Sequence, residues 1–249
     1  MRKIRFVIIL IHFTFCALGQ KKISGVLTYS QITAFEDTTK KNLIPVELFF
    51  SQEESVTLSG ILQKMDKDGQ SRVAPPQPEN KRSAVYINFG TNRMMSRQKA
   101  DTELVIVDDF LEKIDWKIIP ETKKIGTIKC QKAEAKVRGR VYIAWFAPEI
   151  PVRCGPWKLY GLPGLILHAK SSDNAVEFKF ESLKMPAPGN FTIEPLVPLP
   201  RMKVVSEKEF LKKKRINEDN FMKMIKSDPQ LKDGNVTFSM KSIEIYPKK

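Results

Sequence analysis

Cysteine and histidine are scarce: the 249-residue chain has three of the first and two of the second. His12 and Cys16 fall in an apolar N-terminal run, which leaves Cys130, Cys154 and His168 for the rest of the chain. Two cysteines and one histidine do not fill the ligand set of a zinc site. Serine–histidine or cysteine–histidine chemistry would have to pass through His168 alone. No glycine-rich phosphate loop is present. The stretch "DKDG", with Asp66 and Asp68, has the start of a calcium loop but not its remaining ligands or closing glutamate. After the first residues, no apolar run approaches the ~20 residues that a spanning helix needs. These absences argue against an enzyme and against a cofactor.

The N-terminus sets the expected compartment. Arg2, Lys3 and Arg5 precede an apolar run over residues 6–15, followed by Ala17, Leu18 and Gly19. This is the grammar of a Sec signal peptide over residues 1–19, cut after Gly19. It predicts export to the periplasm or cell exterior, with no membrane span once the leader is gone. Phe15 is too large to precede a lipidated Cys16. The 249 residues less 19 leave 230, expected as a single β-rich domain over residues 20–249. Removing three of the 42 basic residues leaves 39 against 28 acidic ones, a net charge of +11. In an exported chain this excludes nucleic acid and leaves a solvated basic surface or attraction to anionic headgroups. In an oxidising compartment Cys130 and Cys154 have two open fates. They stay thiols, or they pair and close a loop of about 24 residues worth roughly 3 kcal/mol.

Most of what is present reads as strand. β-branched and aromatic residues alternate over 23–35, 43–50, 83–89, 93–98, 102–110, 125–135, 138–146, 165–170 and 176–183. Residues 56–61 suit a short edge strand, residues 115–119 open another on Trp116, and 236–245 suit a closing one. "RVYIAWF" is apolar on both faces and predicts a central strand covered on both sides. Residues 64–82 hold three prolines within four positions and few apolar side chains, and predict a Pro-rich mobile loop. Residues 186–200 hold five prolines and read as an irregular connector. Ser206 and Glu209 form a capping box that opens one helical segment, ending before Asp228-Pro229, with a break at 216–220. The run 212–215, Lys-Lys-Lys-Arg, reads as a solvated helix face partnered by Glu209. The fold class expected is mainly β: a single curved antiparallel sheet or incomplete β barrel with one C-terminal helical segment.

The densest local information lies in "GPWKLYGLPGLIL", residues 155–167. Two prolines end the strand before it. Gly155 and Pro156 turn the chain, Trp157 anchors it, and Gly161, Leu162, Pro163 and Gly164 make a second turn with Gly164 at positive φ. "GLPGLI" at 161–166, with "CQKA" at 130–133 and "RGRVYIAWFAPEIP" at 138–151, resembles the GLPGLI family of exported Bacteroidota proteins. Cys130 sits at the family's usual cysteine, and Cys154 stands where none is expected. The pattern is also similar, more weakly, to lipoprotein carriers of the LolA/LolB type. That second likeness implies an incomplete barrel wrapped around a helix, with an apolar cavity.

The leading functional reading is a binding protein that holds a lipid acyl chain or hydrophobic peptide in that cavity. Trp145, Trp157, Leu162, Leu165 and Phe178 would line the wall, with Gly155, Pro156, Gly161, Pro163 and Gly164 shaping the rim; the same apolar residues equally suit a filled core with no cavity. The alternative is a non-catalytic accessory of an outer-membrane transport system, working through a protein interface. A hydrolase using His168 is the third class. Arg138, Arg140 and Lys158 place charge around the connector, where an arginine could stack on Trp145 or Trp157. The pairs Asp108/Asp109 and Asp66/Asp68 read as strand-end and turn residues.

Overall fold

The structure is a computed structural model that describes residues 23–34, 42–60, 63–65, 71–73, 82–100, 103–188, 192–227 and 243–244. The leader expected at 1–19 lies outside them, as does nearly all of the strand expected at 236–245.

Alternation of apolar and polar residues builds the first strands. In β1 (Ser24–Thr33) every second residue is buried, Leu27 and Tyr29 among them. β2 (Asn42–Ser51) turns Val46, Leu48 and Phe50 to the same side. β3 (Glu54–Ser59), β6 (Ser83–Asn88), β7 (Arg93–Ala100) and β8 (Glu103–Phe110) continue the sheet antiparallel. β9 (Lys117–Ile125), β10 (Ile128–Val137), β11 (Arg140–Ala147), β12 (Leu165–Ser171) and β13 (Val176–Lys184) form the second half. That half joins the first where β13 pairs with β1. β14 (Lys203–Ser206) lies parallel to β8 and leads straight into α1 (Glu207–Ser227). Two short strands, β4 (Gln63–Met65) and β5 (Ser71–Val73), pair with each other, and β4 pairs with β2.

The sheet order is β14-β8-β7-β6-β3-β2-β1-β13-β12-β11-β10-β9. It is open, mainly antiparallel and carries a single described helix, as the composition of the chain predicts. Connectivity makes it curl. Ten strand spacings separate β8 from β9 in that order, about 48 Å if the sheet lay flat at ~4.8 Å per strand. Yet only residues 111–116 join the two strands, and such a link reaches at most about 25 Å. The far ends of the sheet must therefore come close together.

Several expectations are corrected. The segment at 56–61 is no edge: β3 lies between β2 and β6, because β6 supplies it with a second ladder. The loop read over 64–82 contains the β4–β5 hairpin, while 66–70 and 74–81 lie outside the described residues. β11 is third from one edge rather than central. Tyr142, Ala144 and Phe146 are buried on its inner face, and Val141 and Ile143 are only half-buried on its outer face. The strand opening on Trp116 is longer than read, running to Ile125 before the turn at Gly126. α1 is continuous through 216–220, since Ile216 simply faces water. β14 was hidden in a sequence too short and proline-flanked to show alternation.

The main core gathers Leu27, Leu48, Phe50, Tyr142, Phe146, Leu159, Leu162, Leu165 and Phe178 between the two halves. Tyr29 crosses it and donates its hydroxyl to the Ile166 carbonyl at 2.6 Å. β6–β8 are covered twice. Ile193 and Leu196 pack on Tyr86 and Ile106 from one side. Phe210 of α1 packs on Val105 and Val107 from the other. The capping box forms as expected, with Glu209 accepting from the Ser206 N–H at 3.0 Å and donating its own N–H to the Ser206 hydroxyl at 3.3 Å. Glu209 therefore does not partner the basic run, and Lys213 reaches Glu103 at 3.4 Å instead.

Candidate functional site

The connector between β11 and β12 is folded by its own backbone. The carbonyls of Ile150 and Cys154 accept from the N–H groups of Leu165 and Ile166 at 3.0 and 3.1 Å, and Arg153 accepts from Gly161 at 2.8 Å. Positive φ falls on Gly161 (93°) and on Trp157 (57°), and not on Gly164. Gly164 is needed for another reason: a Cβ there would lie 2.7 Å from the Ala147 carbonyl carbon. Gly155 is equally confined, with the Leu159 carbonyl oxygen 2.7 Å from where its Cβ would stand. Pro156 is buried and accepts from the Leu159 N–H at 3.1 Å, while Pro163 faces solvent.

The five expected wall residues occupy the packed interior. Leu162, Leu165 and Phe178 are fully buried in the main core, and half-buried Trp157 packs on it with its ring 6.1 Å from that of Tyr142. Trp145 is nearly buried, but its cover is ionic: the Lys123 ammonium lies 4.1 Å and the Lys132 ammonium 5.8 Å from its ring centre. Lysines, not an arginine, make the cation–π contacts to Trp145. Arg153 stacks instead on Phe89, 5.3 Å from the ring centre. Cys130 and Cys154 do not pair. Both are free and buried, and Cys130 turns its thiol toward the Ile128 carbonyl at 3.7 Å. Burial pushes the Cys130 thiol up to about 11 and Cys154 higher still, which keeps both protonated and unreactive.

The curl brings a set of charged groups together where the sheet ends meet. Arg138, in the turn between β10 and β11, forms an ion pair with Glu207 at the start of α1 and lies 3.4 Å from Asp109 of β8. Lys158 of the connector holds Glu244 at 2.7 Å, and both are almost wholly enclosed. Tyr160 donates its hydroxyl to the Glu112 carbonyl at 2.8 Å, and the Trp116 indole donates to the Tyr160 carbonyl at 2.8 Å. Between these groups lies a cleft of about 60 Å³, lined in part by Glu112, Lys136, Arg138, Lys158 and Tyr160. It is polar and large enough for a water or two, not for an acyl chain. Burial and the neighbouring Asp109 carboxylate push Glu207 up to about 7, with Arg138 pulling the other way. Each cation in the cleft wall that is held inside faces a carboxylate, so the arrangement fastens the sheet ends.

His168 lies on β12 opposite Trp145. Its Nε2 is 2.9 Å from Glu177, its Nδ1 is buried with no hydrogen-bond partner, and burial holds its pKa below the usual range. Among the described residues no serine hydroxyl or cysteine thiol hydrogen-bonds to it. Asp108 is likewise engaged, bound to Arg93 at 2.6 Å.

Sequence reasoning did not single out Glu207, Glu244 or Tyr160. A signal existed for the seam, since Lys158 is the one charged residue in the apolar stretch 155–167 and a buried ammonium requires an acidic partner.

Residues 136–168, the connector with its flanking strands, match a family described as "Protein of unknown function (Porph_ging)". Comparison with curated proteins returns no match. The chain is similar to PNGF-II solved in a C2 space group, at 17% identity and a TM-score of 0.49 over 78% of this chain and 33% of that one. A second PNGF-II crystal form, P21, gives 16% identity and a TM-score of 0.48 over 77% and 33%. The chain spans about a third of the length of those structures.

Proposed function

We propose that this is an exported, non-catalytic envelope protein that works through a protein interface, as an accessory of an outer-membrane assembly. Export rests on the charged, apolar and small-residue grammar of residues 1–19 and on the GLPGLI resemblance. The observation that carries the interface is the edge strand of the sheet: β9 presents nine residues, seven of them exposed, with no strand beyond it among the described residues. Such a ladder is a ready template for another chain. The apolar-ligand reading has less support, because Trp145, Trp157, Leu162, Leu165 and Phe178 would have to leave a core that they fill.

Photo-crosslinking in the envelope tests the reading. A photoreactive side chain placed at Lys124 is expected to capture a discrete protein, and one placed at Lys212 on α1 is not. Absence of any protein adduct from either face, together with a lipid retained in native mass spectrometry, would reverse it in favour of the carrier.

A further inference from the structure

The two edges of the sheet offer very different templates. β14 has four residues and turns at once into α1. Among the described residues β9 is paired only with β10, and only Ile119 and Ile125 along it are half-buried. Its charge is one-sided: Lys117, Lys123 and Lys124 stand against Glu121, a net of +2 on the strand itself. β10 behind it adds Lys129, Lys132 and Lys136 against Glu134, again +2. Glu121 is already taken by Lys132 at 2.6 Å. Lys117, Lys124 and Lys129 project into water. Ile118 is 46% exposed beside them, which adds an apolar contact point to the cationic edge.

These features select among occupants. A second copy of this chain would bring another net +2 and another Pro120 to the shared ladder. Like charges across neighbouring strands repel, and proline removes a ladder N–H. The ladder between β9 and β10 already shifts register at Gln131/Lys132, opposite Pro120 and Glu121, which twists the edge away from a long flat pairing. A short extended segment rich in carboxylates meets neither obstacle. Its backbone can complete the open ladder, its acidic side chains can neutralise the lysines, and its β-branched residues can cover Ile118 and Ile119.

We propose that the β9 edge docks an extended acidic segment of a different protein as an added strand and turns away a second copy of this chain. This rests on the protein-interface reading above and names the surface and the chemistry of the partner.

The test uses the mature chain and a blocked eight-residue peptide of alternating glutamate and valine, with a lysine–valine peptide as control. Hydrogen exchange of the amides at 117–125 is expected to slow at least fivefold with the acidic peptide and to stay unchanged with the basic one. Raising the salt from about 50 to 500 mM should weaken binding severalfold, since the attraction is between exposed charges. The variant K117E/K124E/K129E, which touches no core residue, should bind at least tenfold more weakly with an unchanged circular dichroism spectrum. Equal protection by both peptides overturns the proposal, and so does protection elsewhere on the chain or a concentration-dependent dimer that protects 117–125. Protection elsewhere leaves the interface reading standing, whereas no protection combined with no protein adduct in the envelope removes both.

Discussion

At one end of the sheet, β14 gives four residues of parallel ladder and is then sealed by a capped helix whose Phe210 is buried on β7 and β8. At the other, β9 runs nine residues with no described strand on its outer ladder and its side chains mostly in water. Folded proteins blunt sheet edges by short strands, by cover, or by lysine and proline. Here the first end uses architecture and the second uses charge, one proline and a register shift against β10. The difference separates stability from recognition: substitutions at the sealed end should cost folding, and those at the outward-facing lysines of the bare end, Lys117, Lys124 and Lys129, should cost only binding.

The largest effect is expected from Phe210→Ala. It removes the aromatic that joins α1 to Ala100, Val105 and Val107. Truncation of a buried phenylalanine costs about 3 kcal/mol or more. Urea unfolding followed by tryptophan fluorescence measures it. A loss under about 1 kcal/mol would mean that α1 rests on the sheet without sealing it, and the contrast between the two ends would fail.

A middle effect concerns the seam that holds the ends together. Glu207 titrates near 7 instead of its ordinary 4.5 because it is buried beside Asp109, with Arg138 and Lys158 opposing that shift. Between those values the native state keeps a proton that the unfolded chain has lost. Stability from this group is therefore full below about 4.5 and is lost as pH rises through about 7. His168 contributes with the opposite sign, since its lowered pKa favours the native state as pH climbs through the ordinary 6.5. The difference between wild type and Glu207→Gln isolates the first term. Wild type should lose on the order of 1 kcal/mol relative to the variant between pH 5 and pH 8, after allowance for partial exposure. Parallel stability curves for the two proteins would show that Glu207 does not titrate in the seam.

This seam marks the limit of what residues alone reveal. The fold class was readable because alternation in stretches such as "AVEFKFES" is a local signal, and so was the Ser206–Glu209 cap. The curl followed from nothing local. It depends on the order of strands, which puts β8 and β9 ten spacings apart while six residues connect them. The connector was readable as a turn, but its purpose was not. Gly164 is required by a backbone 17 residues away at Ala147, as numbered from 147 to 164, and not by its own dihedral. Trp145, Leu162 and Phe178 look alike as core or as cavity wall, since both demand apolar side chains at the same positions. Glu207 and Glu244 sit far from Arg138 and Lys158 in the chain, and only the curl makes partners of them.

The smallest effect is the sharpest test of the comparison. Lys124 lies on β9, exposed, opposite Lys129 in the register with β10. Like charges placed across a strand pair are mildly unfavourable. Lys124→Glu should therefore leave the urea midpoint unchanged within about 0.5 kcal/mol, or raise it slightly by offering Lys129 an opposite charge. Lys123 differs although it is adjacent in sequence, because its ammonium covers Trp145 and its burial lowers its pKa. Lys123→Glu should then be the more harmful of the two, exposing the indole face while losing a contact worth about 0.5–1 kcal/mol. A stability loss at Lys124 equal to that at Lys123 would mean that the edge is held by its charges and not merely decorated by them. The bare end would then be a structural element like the sealed one, and the division of labour between the two would be gone.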